Sequence, residues 1–162
     1  MSAPKPLGQV ASLHLHPAKG GESLTAVESI RVVAGKGIEG NPRYFKRGSR
    51  RQVTLIEREQ IAEHAQALGA VEFAPGAVRS NIETTGIDLI ALIGQQVSVG
   101  EAVLDFYAPR TPCEKMNALC PGLRERMEDN RQGVLAQVVR SGTIRVGDQI
   151  RLAKADAAGR AA

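Results

Sequence analysis

The sequence predicts a mainly β fold, an antiparallel β-barrel or sandwich carrying a few short helices. Three observations predict it. Short β-branched or alternating apolar runs recur along the 162 residues, glycine-bearing turns separate them, and only one segment has sustained helical periodicity.

Taken in order, residues 9–14 and Ser29–Val33 are alternating or β-branched runs and read as strands. Residues 35–42 are rich in glycine and end on Asn41-Pro42, so they read as a loop. Residues 51–56, Arg-Gln-Val-Thr-Leu-Ile, form a clear strand. A helix follows over 57–68, with apolar positions at Ile61, Ala62, Ala65 and Leu68 and a stop at Gly69. Residues 77–84 read as a strand, and Asp88 caps a single helical turn through Leu92. Residues 95–99 and 102–107 flank Gly100-Glu101 as a hairpin. A short helix is expected over 121–127. Strands at 134–140, 143–146 and 149–152 are then set apart by Ser141-Gly142 and Gly147-Asp148. Residues 153–162, rich in alanine and charge, read as a disordered tail.

Composition bounds the function. Hydrophobic content of 43% and charged content of 23% are ordinary for one globular domain of this length. No apolar run approaches the roughly 20 residues of a membrane span, and residues 1–6 carry no signal pattern, so a cytoplasmic protein without a membrane partner is expected. A net charge of +4 suits an anionic ligand. Aromatics at 3%, with no Trp, leave few platforms for stacking bases, which argues against nucleic acid as a partner.

The most informative stretch is Arg110-Thr111-Pro112-Cys113-Glu114-Lys115. Thr111 suits an N-cap, Pro112 suits the first helical position, and Glu114 stands three after Thr111 as in a capping box. That expectation puts Cys113 in the first turn of a helix, flanked by Arg110 and Lys115. The helix dipole and both cations then favour its thiolate, the nucleophilic and metal-binding form. Cys113 and Cys120 lie seven positions apart, roughly 10 Å on a continuous helix and beyond disulfide reach, so Cys120 reads as structural.

Other constellations are less specific. The basic, glycine-rich loop from Gly35 to Gly48 carries Lys36, Arg43, Lys46 and Arg47, and its backbone and cations suit phosphate. It matches neither a Walker A loop nor a dinucleotide fingerprint. Arg79-Ser80-Asn81 interrupts a strand with polar side chains, either as a hydrogen-bond network or as a ligand site. His14 and His16 share a strand face but lack a third ligand nearby, so they read as structural, and His64 is expected to face solvent. Motifs for serine hydrolases, zincins and thioredoxins are absent.

An ordered set of segments carries a family resemblance. Gly37-Ile-Glu-Gly40, the 51–56 strand, Pro75-Gly76 leading to Arg79-Ser-Asn-Ile82, Gly86-Ile-Asp88, Gly94, Gly100, Pro112-Cys113 and residues 142–148 occur in the order seen in MOSC domains. These are the C-terminal domains of molybdenum cofactor sulfurases, also found as small stand-alone proteins. The likeness spans residues 8–152 as a single domain. It implies a barrel of the pyruvate kinase type, a molybdopterin-type molybdenum cofactor, and Cys113 as the functional cysteine, either metal ligand or carrier of sulfur. Relatives in the mitochondrial amidoxime reducing component group reduce N-hydroxylated compounds, and bacterial MOSC proteins are linked to detoxifying N-hydroxylated purines. Arg43, Lys46, Arg51, Arg79, Arg110 and Lys115 are the candidates for the anionic cofactor, with Asn81 as a polar orienter. The family loop commonly reads Gly-Leu-Glu-Gly-Asp-Arg, whereas Asn41 stands here at the acidic position. The chain also has no pyridoxal-phosphate desulfurase segment, so a cysteine desulfurase or a reductase is expected as a separate partner. The rival expectation is a non-enzymatic carrier that hands sulfur or cofactor to molybdoenzymes.

Overall fold

The computed structural model of the chain describes residues 5–19, 22–42, 45–46, 48–70 and 72–153. In chain order its strands are β1 (Gly8–Leu15), β2 (Thr25–Val27), β3 (Ser29–Val33), β4 (Gly37–Ile38), β5 (Val53–Glu57), β6 (Ile82–Thr85), β7 (Gln96–Val99), β8 (Ala102–Pro109), β9 (Val134–Arg140), β10 (Gly142–Arg145) and β11 (Gln149–Leu152). The helices are α1 (Arg58–Ala67), α2 (Lys115–Leu119) and α3 (Leu123–Arg126), with a 3₁₀ turn at Ile90–Leu92.

Seven strands close into a barrel in the order β1, β11, β7, β8, β9, β5, β6 and back to β1. β1 makes the closure by pairing β6 on one side and, through Gly8 and Gln9, β11 on the other, while its second half takes β2. A smaller sheet of β10, β3 and β4 stands apart. The barrel is mainly β as expected, but β5 and β6 run parallel, against the antiparallel expectation. Parallel neighbours need a crossover, and α1 with the turns after it supplies one.

β5 shows why the sequence folds this way. Val53 and Leu55 point into the barrel core with Leu13, Leu104 and Phe106, while Ile56 joins a second core under the helices with Ile61, Met116, Leu123 and Met127. Both faces are covered, so the strand reads as a continuous apolar run rather than an alternating one. The helices thus form a cap on one side of the barrel, and the cysteine segment runs through that cap.

Four local expectations are corrected. The strand expected over 77–84 begins only at Ile82, because Gly76 (φ +86°) and Arg79 (φ +66°) take left-handed backbone and residues 74–79 coil into two turns. The expected loop over 35–42 contains β4, because Ile38 is drawn fully into the core beside β3. His64 does not face solvent: it is buried on α1, with Nε2 3.0 Å from the Arg131 carbonyl. Burial holds its pKa below the ordinary value, partly offset by that bond. Finally, α2 starts at Lys115, after Cys113, and neither Thr111 nor Glu114 makes a side-chain cap. The chain leaves β8 still tied to the barrel, with Arg110 N–H donating to Gly133 O at 2.9 Å, so it turns helical three residues later than the cap residues suggest. The hairpin at Gly100-Glu101, the Asp88-capped turn and the short helix after Pro121 form as expected. The expected tail lies outside the described residues except for Ala153, which donates to Gln96 O.

Candidate functional site

At the mouth between the barrel and the helical cap, His16, Arg51, Arg79, Arg110, Cys113, Lys115 and Met116 line one chamber of about 60 Å³. They come from the end of β1, the approach to β5, the turn before β6, the exit of β8 and the start of α2. The chain positions within this group run from 16 to 116, and barrel closure is what brings them together. Cys113, Arg51 and Lys115 stand on the open side, while Arg110 and His16 are buried.

Arg110 is clamped from behind. Its Nη1 donates to the Arg79 carbonyl at 3.1 Å and to Ser80 Oγ at 2.9 Å. Arg79 is held by a bond from Nη1 to the Glu22 carbonyl at 2.8 Å, while its Nη2 is buried with no hydrogen-bond partner. A buried guanidinium nitrogen without an acceptor costs about 1–3 kcal/mol. The turn that presents Arg79 is itself fixed: Gly76 N–H donates to the buried Glu83 carboxylate at 2.7 Å, and Gly76 lies so close to the His14 ring that a Cβ there would meet it at 3.0 Å.

Asn81 serves as the hub of a hydrogen-bond network behind the chamber. Its Oδ1 accepts from Thr54 N–H, a donor only, which fixes the amide orientation. Asn81 Nδ2 therefore donates to the His14 carbonyl at 3.0 Å and faces His16 Nδ1 at 3.2 Å. Asn41 Oδ1 already accepts His16 N–H at 2.7 Å and lies 3.3 Å from the same Nδ1. Asn41 Oδ1 can accept from a protonated Nδ1 and Asn81 Nδ2 can donate to a bare one, so the two amides favour opposite tautomers of the His16 ring. The ring is neutral in either case, its pKa lowered to about 4 by burial and then by the Arg110 and Arg79 charges, with the Asn41 bond acting the other way and Arg51 adding to the lowering.

Of the eight sequence candidates, Cys113, Arg51, Arg79, Arg110 and Lys115 meet in the chamber. Asn81 supports it from behind. Lys46 is exposed and is not among the lining residues, its backbone N–H bonded to the Lys36 carbonyl. Arg43 lies outside the described residues. His16, structural by the sequence pattern, lines the chamber as well. The signal that could have found it is its place at the last turn of the His-x-His strand, next to Pro17, where a strand ends at the barrel mouth. Both cysteines are free thiols, Cys113 exposed and Cys120 packed against the second core.

With one exposed thiol, one neutral imidazole and four cations, the chamber can hold an anion and offer a soft ligand beside it. Among the described residues no group of three His, Cys, Asp or Glu side chains that could hold a metal ion gathers. The family model that matches the sequence is that of the MOSC domain, over residues 42–151. The chain belongs to the MOSC domain family. This MOSC barrel is similar in fold to the YuaD protein of Bacillus subtilis, at 22% identity, covering 91% of this chain and 97% of that one with a TM-score of 0.72. It is similar also to YiiM of Geobacillus stearothermophilus, at 20% identity, 91% and 75% coverage and a TM-score of 0.73. YiiM of Escherichia coli matches at 20% identity, 90% and 70% coverage and a TM-score of 0.68. No curated protein matches the chain in sequence. MOSC domains are associated with the molybdenum cofactor, and β1 to β4 of this one, with His16 just after β1, precede the matched segment.

Proposed function

We propose that this MOSC protein binds a molybdopterin-type cofactor, with an anionic group in the cationic chamber and Cys113 as metal ligand or sulfur carrier. The observation that carries the reading is the gathering of Arg51, Arg79, Arg110 and Lys115 around Cys113 and the neutral His16 ring in one chamber. Such a donor set fits a group that brings its own metal ligands and needs one thiolate more. A chamber of about 60 Å³ has room for an oxoanionic group, since roughly 10–15 Å³ of such space already admits a water.

When bound, such a cofactor supplies two-electron redox or sulfur chemistry at its metal. The chain's part is to neutralise and orient it. Arg51, Arg79 and Lys115 supply charge, Arg110 is fixed in place by Ser80, and His16 adds a neutral imidazole. The activity proposed is reduction of N-hydroxylated compounds, in the cytoplasm, by the domain at residues 8–152 with a separate electron donor. The exposure of Cys113 supports a second reading, a carrier that receives persulfide from a separate pyridoxal-phosphate desulfurase and passes sulfur to partner molybdoenzymes.

The test is to express wild type and Cys113→Ser in a host that makes the cofactor and to measure molybdenum and pterin per protein. Near-stoichiometric metal in wild type with little in the variant is expected. Absence of metal and pterin from both overturns the cofactor reading. The carrier reading would then stand on a stoichiometric Cys113 persulfide without turnover of N-hydroxylated substrates.

A further inference from the structure

Arg79 lines a second hollow as well as the chamber. This is a groove of about 280 Å³, bounded by Leu24 just before β2, by Pro75, Ala77 and Arg79 of the turn before β6, and by Leu119 at the end of α2. Its volume is close to the roughly 300 Å³ at which small-molecule sites begin. Besides Arg79, α2 joins the two spaces. Lys115 lines the chamber and Leu119 the groove, and residues four apart share one helix face, about 6 Å apart along the axis.

Each wall is fixed before any guest arrives. In the turn, Gly76 N–H donates to the buried Glu83 carboxylate and Arg79 N–H to the Gly76 carbonyl at 3.0 Å. The approach to β2 is held by Arg79 Nη1 on the Glu22 carbonyl and by the pairing of Thr25 with Leu15. α2 is tied to α3 through Asn117 Oδ1, which accepts Arg124 N–H at 3.1 Å. Walls of this kind need little ordering when they bind, which favours affinity.

The lining is apolar along its length and positive at one end. Leu24, Pro75, Ala77 and Leu119 supply the apolar surface, and Leu119 is 39% exposed, so a guest that covers it gains by burial. Arg79 is the one charged residue in the described lining. Arg51, Arg110 and Lys115 stand with it in the chamber, so that end stays positive even with one oxoanion seated among them.

We propose that this groove binds a small amphipathic carboxylate, with an apolar body of about six carbons against Leu24, Pro75, Ala77 and Leu119 and its carboxylate turned to Arg79. The proposal deepens the cofactor reading by naming a substrate class for the same site, and it rests on that reading only for the guest's role as substrate.

The experiment titrates the ¹⁵N-labelled full chain with hexanoate, with its uncharged counterpart hexanamide and with acetate, following backbone amide shifts. Saturable hexanoate shifts are expected over residues 23–24, 74–79 and 117–120. Hexanoate is expected to bind about threefold tighter than hexanamide, through one partly screened cation, and about tenfold tighter than acetate, through its buried chain. Leu119→Ser is expected to weaken hexanoate about fivefold with an unchanged Tm. Hexanoate bound no better than acetate or than hexanamide, shifts confined to other residues, no saturation, or full affinity in Leu119→Ser overturns the proposal. Molybdenum and pterin are measured on the same preparations. Failure of the cofactor reading then shows as absent metal and pterin with hexanoate binding intact, and failure of this proposal as absent hexanoate binding whatever the metal content.

Discussion

His16 owes its neutrality first to burial and then to the Arg110 and Arg79 charges, against a bond to Asn41 that acts to raise its pKa. Asn81 supplies a donor to Nδ1, and Asn41, at a position where the MOSC pattern is usually acidic, supplies only a neutral oxygen. With its folded pKa near 4 and an ordinary value of 6.5, neutral His16 contributes stability that is complete above pH 6.5 and is lost as pH falls from 6.5 toward 4. Asn41→Asp would put a carboxylate 3.3 Å from Nδ1, and is expected to raise the His16 pKa by about 1–3 units and to lessen its share of that acid loss. An NMR titration of the His16 ring decides it, and an unmoved pKa would refute the network described here. His64, which burial also holds low, contributes an acid loss of the same sign that the substitution leaves in place. Little of this was legible in the sequence. The partners of His16 lie 25 and 65 positions away, and its spacing from His14 says only that the two share a face.

The turn over residues 74–79 matters most among the elements. It presents Arg79, offers a carbonyl to Arg110, and is tied down by Glu83, whose side chain is fully buried and also pairs with Arg58 of α1. Glu83→Ala is expected to cost about 3 kcal/mol of stability, the low end for a broken buried pair because Arg58 is partly exposed. It should also weaken sulfate binding at the chamber roughly threefold through the slackened turn. Glu83→Gln keeps an acceptor for Gly76 and should restore the sulfate affinity at the reduced stability, so calorimetry and titration together separate positioning from folding. The sequence marked this stretch as unusual through Arg79-Ser80-Asn81, yet read it as strand, because a left-handed Arg79 is decided by Glu83 and Gly76 packing and not by local propensity. The cysteine segment failed similarly. Thr111, Pro112 and Glu114 are good cap residues, but Arg110 remains anchored to Gly133 and Ser80, and Glu114 turns to Arg124 instead.

For the molecule as a whole, the net charge of +4 is spread over the chain, but the chamber concentrates four of its cations around one thiol. Sulfate binding there should weaken roughly fivefold between about 20 and 200 mM sodium chloride, because the chamber opens to solvent and its field is screened. A salt-independent affinity, measured by calorimetric titration, would mean that the cations are too deeply buried or otherwise engaged to set it. By itself the sequence determined the β-rich class, most strand positions, the helix after β5, the hairpin at Gly100-Glu101 and the grouping of Cys113 with Arg110 and Lys115. All of these depend on neighbours a few residues apart, where periodicity, turn chemistry and chain spacing act. Only the tertiary structure decided the closure of β1 onto β11, the parallel pairing of β5 with β6, the recruitment of His16, Arg51 and Arg79 to the cysteine, and the exclusion of Lys46 from the chamber lining. Those outcomes come from burying both faces of the barrel strands at once, and that packing joins residues between which the sequence carries no local signal.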